Sequence, residues 1–343
     1  MIEFERSTVR ACFQLSSGDR AERFIEIRRD PLTRRTSRIT PSRALEKERG
    51  TERLHTPPRE DLDPKRCPFC PQNINTMTPV LLPEISDAPR LRCNRSVLFP
   101  NLFPYTEWSA VSIFDDTHYV EIGQAEVSSY RDSFINCAAY LSRVNGVDPE
   151  AIFMSITQNH LPGAGGSLVH PHLQVHASRF LSNSHRLLSE RTEEYRKRHG
   201  RCLLSDLVSA EKKTGERYIG QTGIWEWTAA FAPTGFYEIW GIAPGHSSLL
   251  TPDHSKFWED LARGVLNIQR FYRSLNRNCY NLALISIENK AENPGLKVSI
   301  TARSSYAPWV RSDFTGFDIA SREMATFTPP ETTANAARAF WSL

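Results

Sequence analysis

The segment Gly163–His176 constrains this chain most strongly, because four polar side chains alternate with apolar ones behind a glycine-rich turn. His170, His172, Gln174 and His176 are spaced two residues apart. Side chains two apart in a β-strand share one face, so the spacing predicts a strand carrying a row of polar groups. Because buried imidazoles need partners for both ring nitrogens, such a row suits a phosphate or metal site better than a core. The alternative is an ordinary strand with its histidines on a solvated face.

The turn before this strand contains Gly163, Gly165, Gly166 and Ser167. Glycine-rich turns can bring backbone N–H groups close to a phosphate, since no side chain intervenes. The turn and the histidines together indicate phosphate chemistry on a histidine.

Composition places the chain among ordinary globular proteins. Its 343 residues, 40% of them hydrophobic, are enough for one large or two medium domains. A net charge of +3 argues against a general nucleic-acid surface. No apolar run approaches the roughly 18 residues of a membrane span, and we expect no export signal. Seven unevenly spaced cysteines favour a reducing cytoplasm over a disulfide framework.

The pattern of apolar residues predicts the same order of elements twice: strand, strand, helix, strand, strand. In the first half the helix covers part of Gln124–Val144 and is followed by a strand from Ala151 and by the histidine strand. In the second half the helix covers Phe257–Leu275 and is followed by strands over Tyr280–Ile287 and Leu296–Thr301. We therefore expect an α+β fold with antiparallel sheets and two similar halves.

A second motif, Cys67-Pro-Phe-Cys70, places two thiols where they can reach one ion from a tight turn. Such a pair is also found in redox motifs and in plain turns, so two further ligands are needed for a metal site. His118 and His170 are the best candidates. They would complete a closed Cys2His2 site of the structural type, because no position is left for water.

These motifs resemble those of the galactose-1-phosphate uridylyltransferase family, in the histidine-triad superfamily, and they follow the family's order. The matching segments are Glu26–Thr33 with Arg43, the zinc turn Cys67–Asn73, the nucleoside segment Phe99–Pro104, the active-site segment Asn159–Gln174 and, more loosely, Pro244–His246 and Phe314–Asp318. The resemblance implies two histidine-triad-like domains, each an antiparallel sheet with flanking helices. Residues 1–195 would carry the zinc turn and the catalytic strand, and residues 196–343 would form the second domain.

The resemblance also implies a mechanism in which His172 attacks a nucleotide phosphorus and forms a nucleotidyl-histidine. Gln174 and Ser167 would assist at the phosphate oxygens, and zinc would have a structural role on Cys67, Cys70, His118 and His170. The remaining substrate contacts would come from Arg43, Asn101, Asn159, Gly165, Gly166 and Phe317. The expected partners are a nucleotide or nucleotide sugar and a phosphate or sugar phosphate, and members of this family are commonly homodimers.

The chain departs from the family pattern at several positions. Leu102 stands where the uridylyltransferases usually have an Asp for the ribose, Glu46 where a second arginine is usual, and Leu173 where a small residue is common. The segment Ser299–Ser304 lacks a His-x-His motif. These differences argue against UDP-hexose specificity. An ADP-sugar phosphorylase, a nucleotide hydrolase and a non-catalytic nucleotide-binding protein stay open, as does the choice for His176 between a role beside the phosphate and a surface position.

Overall fold

The computed structural model describes residues 2–42, 54–246, 248–288, 295–303 and 312–341. The strands, numbered in chain order, are β1 (Arg6–Gln14), β2 (Arg20–Arg29), β3 (Thr36–Ile39), β4 (Leu91–Cys93), β5 (Ser96–Pro100), β6 (Trp108–Ile113), β7 (Phe153–His160), β8 (His172–Ser178), β9 (Tyr218–Thr222), β10 (Trp225–Ala229), β11 (Phe236–Ala243), β12 (Cys279–Ile287), β13 (Leu296–Arg303) and β14 (Met324–Thr326). The α-helices are α1 (Ile74–Met77), α2 (Val127–Val147), α3 (Asn183–His199), α4 (Leu203–Thr214), α5 (Ser255–Ser274), α6 (Gly316–Ser321) and α7 (Pro330–Ala337).

The main sheet has ten strands in the order β4-β5-β6-β8-β7-β12-β13-β11-β10-β9. Every pairing in this sheet is antiparallel. Counted outward from the central β7–β12 pair, equivalent strands of the two halves occupy equivalent positions: β8 and β13, then β6 and β11, β5 and β10, and β4 and β9. The predicted α+β fold, with antiparallel strands and flanking helices, is therefore confirmed. The two halves do repeat one order of elements, but each has three strands before its helix where the sequence predicts two.

The two halves meet inside one sheet, because β7 pairs with β12 along eight residue pairs from Tyr280↔His160 to Ile287↔Phe153. The sequence predicts a sheet in each half, and the structure joins them edge to edge. The domain boundary expected between residues 195 and 196 falls inside α3. The division into two domains stays a prediction.

Helices α2 and α5 cover one face of the main sheet, and their apolar sides form its core. Phe134 of α2 stacks on Trp258 of α5 with ring centroids 5.7 Å apart. Leu173, Val175 and Ala177 of β8 are fully buried in the same core. Since side chains alternate along a strand, the polar residues of β8 lie on the opposite face. The fold thus places the histidine row away from the helices.

The region after β8 contains two helices, α3 and α4. Helix α3 begins after Ser182, whose Oγ accepts a hydrogen bond from the N–H of His185, and ends at Gly200 with φ +65°. Both features are common at helix ends, because they satisfy free backbone groups or permit a left-handed turn.

A smaller sheet of order β1-β2-β3-β14 lies beside the main one. Its β3–β14 pairing is parallel, an exception to the antiparallel pattern. Within the described part of the chain, no helix combines the length and the apolar character that crossing a membrane requires.

Candidate active site and metal site

His172 is the first residue of β8 and is held by a local hydrogen bond. Its Nδ1 lies 2.8 Å from the backbone carbonyl oxygen of His170. A carbonyl oxygen can only accept, so Nδ1 carries the proton and Nε2 keeps its lone pair. The side chain is almost completely buried. The sequence-based mechanism requires this tautomer, and the structure has the hydrogen bond that selects it.

The surroundings of His172 favour the neutral ring. Burial lowers its pKa below the usual value of 6.5, although the hydrogen bond to the His170 carbonyl opposes the shift. Phe69, in the Cys67–Cys70 turn, packs edge-on against the His172 ring at a centroid distance of 5.3 Å. The cysteine turn therefore forms one wall of the histidine site.

The glycine turn before β8 needs glycine for steric reasons. Gly165 has φ +86°, a left-handed conformation that other residues rarely adopt. A Cβ on Gly166 would lie 2.7 Å from the carbonyl oxygen of Asn159. The N–H groups of both glycines donate to carbonyls within the turn, those of Pro162 and Leu161. These two amides are therefore not free for a phosphate, contrary to the expectation from sequence.

Ser167, Gln174 and Asn159 are the polar side chains expected to act beside this turn. Ser167 is exposed, while Asn159 and Gln174 are partly buried. The Asn159 Nδ2 donates to Gln174 Oε1 at 3.4 Å, and Asn159 Oδ1 accepts from Asn281 Nδ2 at 2.7 Å. The second half of the chain thus holds the amides of the first half in place.

Asn281 and Arg303 are site residues that the sequence analysis missed. Asn281 also donates to the carbonyl of Ala164 in the glycine turn, at 2.8 Å. Arg303 donates to Asn281 Oδ1 at 2.7 Å and to Asp313 at 2.6 Å. The only signal in the sequence is that both are polar residues in strands. Their importance comes from the β7–β12 pairing, which sets Asn281 directly opposite Asn159.

Cys67, Cys70, His118 and His170 come together as the sequence predicts. Their ligand atoms all lie within 4.8 Å of one another, and three of the four residues are buried. Cys70 Sγ lies 3.3 Å from His118 Nδ1 and 3.6 Å from His170 Nδ1. Two thiols and two imidazole nitrogens are a donor set typical of zinc.

The far nitrogen of each metal-site imidazole fixes its tautomer. His118 Nε2 lies 2.9 Å from the carbonyl oxygen of Asp61, and His170 Nε2 lies 2.9 Å from that of Asp115. Both Nε2 atoms must therefore donate, which leaves both Nδ1 lone pairs directed toward the thiols. The four residues fit a tetrahedral metal ion without a change of tautomer.

The other expected site residues are less closely grouped. Arg43, like Glu46, lies outside the described residues. Asn101 accepts a hydrogen bond from the Phe103 N–H through Oδ1 at 3.0 Å. Phe317 is exposed on α6, under the guanidinium of Arg38 at 5.3 Å.

His176 is not a surface residue. Only 8% of it is exposed, and its Nδ1 lies 3.2 Å from the hydroxyl of Ser109 on β6. Burial lowers its pKa to about 4. Of the two alternatives for His176, a surface position is therefore wrong, and a role beside the phosphate stays a prediction.

Known proteins share both sequence and architecture with this chain. No protein-family model matches it. An uncharacterized protein of Archaeoglobus fulgidus is 31% identical over 344 residues, which cover 99% of each chain. ADP-glucose phosphorylase of Arabidopsis thaliana is 25% identical over 285 residues, covering 75% of this chain and 76% of the relative. Galactose-1-phosphate uridylyltransferase of Neurospora crassa is 24% identical over 194 residues, covering 53% of this chain and 48% of the relative.

Solved structures confirm the fold. An Arabidopsis thaliana ADP-glucose phosphorylase with bound ADP-glucose superposes with a TM-score of 0.70 at 22% identity, covering 92% of this chain and 98% of the other. A uridylyltransferase gives a TM-score of 0.66 at 19% identity, with the same two coverages. At these identities the structures support the fold alone. Together with the sequence relatives, they confirm the resemblance inferred from the motifs: ADP-glucose phosphorylase and galactose-1-phosphate uridylyltransferase are homologues of this chain.

Proposed function

We propose that the protein is a nucleotidyltransferase that moves a nucleoside monophosphate group through a nucleotidyl-histidine on His172. The donor is a nucleoside diphosphate sugar or a similar nucleotide, and the acceptor is a phosphate or a sugar phosphate. The observation that carries the proposal is the 2.8 Å hydrogen bond from His172 Nδ1 to the His170 carbonyl. It leaves an unprotonated Nε2 beside a glycine turn, which is what a nucleophile for phosphorus needs.

In the first step, the Nε2 lone pair attacks the α-phosphorus and the bond to the β-phosphate oxygen breaks. The sugar 1-phosphate leaves with the electron pair. In the second step, an acceptor phosphate oxygen attacks the same phosphorus and releases Nε2. Gln174 and Ser167 would hydrogen-bond the non-bridging oxygens, with Arg43 as countercharge.

The amide chain supports the proposed role of Gln174. Because Asn159 donates to Gln174 Oε1, the Gln174 amide N–H groups stay available for a phosphate oxygen. Asn281 fixes Asn159 in turn. Gly165 and Gly166 would contribute through their lack of side chains, which lets a nucleotide approach the turn.

Zinc is the metal that the Cys67, Cys70, His118 and His170 donor set fits best. Four protein ligands would leave no position for water, so the ion would stabilise the fold without taking part in the chemistry. His170 would then hold the start of β8, and its backbone carbonyl would orient His172.

An ADP-sugar with phosphate as acceptor is the substrate pair that we favour. The sequence match to ADP-glucose phosphorylase spans 75% of this chain, against 53% for the uridylyltransferase. Leu102, at the position where the uridylyltransferases usually carry an Asp, is 62% exposed and offers no hydrogen bond to a ribose. Asn101 and Phe317 remain proposed substrate contacts, and a homodimer remains a prediction.

The test is formation of the covalent intermediate. The protein is incubated with ADP-glucose, UDP-glucose and other nucleotide sugars in turn, without acceptor, and its intact mass is measured. We expect an added nucleoside monophosphate with at least one donor, and adenylate as the preferred group. His172→Gly should abolish the adduct.

His254→Gln is the matched control, because His254 is an exposed histidine at the start of α5. It should label like the unchanged protein. Absence of labelling by every donor, or a full adduct in His172→Gly, would contradict the proposal. Release of the nucleotide by water at the same rate as by phosphate would identify a hydrolase instead.

A further inference from the structure

A cavity of about 440 Å³ lies between α2 and the segment that leads into β4. Three arginines line it, Arg90, Arg92 and Arg143, together with the neutral polar residues Asn75, Ser86 and Asn136. No Asp or Glu is among its lining residues. A half-open cavity of this size is large enough for a small metabolite.

Arg90 is the most informative of these residues, because it is only 8% exposed. Its Nη2 donates to the carbonyls of Ile74 and Thr78 and to the Thr78 hydroxyl, at 2.8 to 3.1 Å. Its Nε is buried and has no hydrogen-bond partner among the described residues. Every oxygen that it contacts is neutral, so the guanidinium keeps an unsatisfied donor and an uncompensated charge.

The other two arginines share this lack of counter-ions. Arg92 and Arg143 are exposed at the cavity, and Arg143 donates to the carbonyl of Ile85 at 3.0 Å. In the described part of the chain, neither they nor Arg90 form an ion pair, although many other arginines do. Burial and the nearby charge of Arg92 lower the pKa of Arg90. A bound anion would offset the unpaired positive charges and accept the free N–H of Arg90.

We propose that this cavity binds a phosphate-type dianion, either free or as a small phosphomonoester. Three guanidinium groups offer paired N–H donors that match phosphate oxygens, and the amides and the hydroxyl can complete the coordination. Leu91 and Ala139 give the cavity apolar walls that would accommodate the carbon skeleton of an ester.

The site is separate from the proposed catalytic site. None of its lining residues is a proposed substrate contact or metal ligand. It adjoins that site indirectly, since Asn75 and Arg92 also line a second cavity of about 350 Å³ that reaches Phe69. The proposal for this cavity therefore does not depend on nucleotidyl transfer at His172.

The test compares the full-length protein with Arg92→Gln/Arg143→Gln. Inorganic phosphate and glycerol 3-phosphate are titrated separately by calorimetry. We expect the double variant to lose one class of site, with at least about 10-fold weaker binding of the tighter ligand. Preference for one probe identifies the free ion or the ester as the natural form. Exposed arginines tolerate glutamine, so the melting temperature should stay unchanged.

The matched control is Arg270→Gln, an exposed arginine on α5 that hydrogen-bonds only Asn267 among the described residues. It should bind both probes like the unchanged protein. Crystals soaked in tungstate should show anomalous density beside Arg90. Equal binding in the double variant and the unchanged protein would overturn the proposal, and density without that loss would mark an adventitious ion only. Adenylate labelling of His172 is scored separately, so failure of either proposal is distinguishable.

Discussion

Strands β8 and β13 hold equivalent places in the two halves of the main sheet, but their polar faces have different fates. On β13, Ser299 donates to Glu238 at 2.5 Å and Arg303 donates to Asp313 at 2.6 Å. On β8, His172 uses one ring nitrogen for its own backbone and keeps the other. The repeated scaffold therefore places a row of polar side chains at the same position in both halves. Whether such a row can react depends on whether other protein groups already use its hydrogen-bonding atoms.

Substitutions on β8 and β13 test this difference between the two strands most directly. His172→Gly should lower turnover by at least about 10³-fold, because the nucleophile is lost, and added imidazole should restore part of it. Thr301→Val, a substitution of similar shape on β13, should change turnover by less than about threefold. Steady-state kinetics with the best nucleotide sugar measures both. A comparable loss in Thr301→Val would show that both faces carry chemistry.

The candidate metal site belongs to the first half alone among the described residues. Cys70→Ser should reduce bound zinc from about one ion per chain to a small fraction and lower the free energy of unfolding by at least about 3 kcal/mol. Elemental analysis and urea unfolding measure the two effects. Cys12→Ser, at an exposed thiol on β1, is the control. Full zinc content in Cys70→Ser would remove Cys70 from the ligand set.

The contact between the halves is tested at Asn281. Asn281→Ala removes the hydrogen bonds to Asn159 and to the Ala164 carbonyl, so we expect kcat to fall about 10-fold, with little change in the melting temperature. Asn335→Ala, at an exposed residue of α7, should leave kcat unchanged. An unaltered kcat in Asn281→Ala would mean that the second half only supports the sheet.

The smallest effect concerns acid stability. The pKa of His176 is about 4 in the folded chain against 6.5 when exposed. Between these values only the unfolded chain binds the proton, so the free energy of unfolding falls as the pH drops from 6.5 toward 4. His176→Gln should reduce the fall between pH 7 and pH 5.5 by about 1 kcal/mol, as measured by urea unfolding. Thr301→Val should leave it unchanged, and an equal fall in His176→Gln would contradict the assignment.

Much of this architecture is readable in the sequence, since it depends on local patterns. Alternating apolar residues predict β8, and helical spacing predicts the helix that the structure places at Val127–Val147. The spacing of Cys67 and Cys70 predicts half of a metal site, and the structure brings His118 and His170 to it as the other half. A local sequence pattern is enough to predict an element when the residues that determine it lie in one segment.

The contributions of the second half could not be predicted in the same way. Asn281 and Asn159 are 122 residues apart, and only the β7–β12 pairing makes them neighbours. The amides of Gly165 and Gly166 show the converse problem, because the composition of a turn does not reveal which carbonyls its N–H groups will meet. The first case depends on pairing between distant strands, and the second on the exact backbone conformation of one turn.

The central β7–β12 pair also determines whether the protein can be divided. A cut between the halves would expose the edges of β7 and β12 along eight residue pairs, and about every second residue of each strand would lose its backbone hydrogen-bond partners. Long apolar edges of this kind promote aggregation. Each half produced alone should therefore be poorly soluble, whereas two halves produced together should complement each other. Recovery of catalysis would then report reassembly, because Asn281 contacts Asn159 only when β7 and β12 are paired.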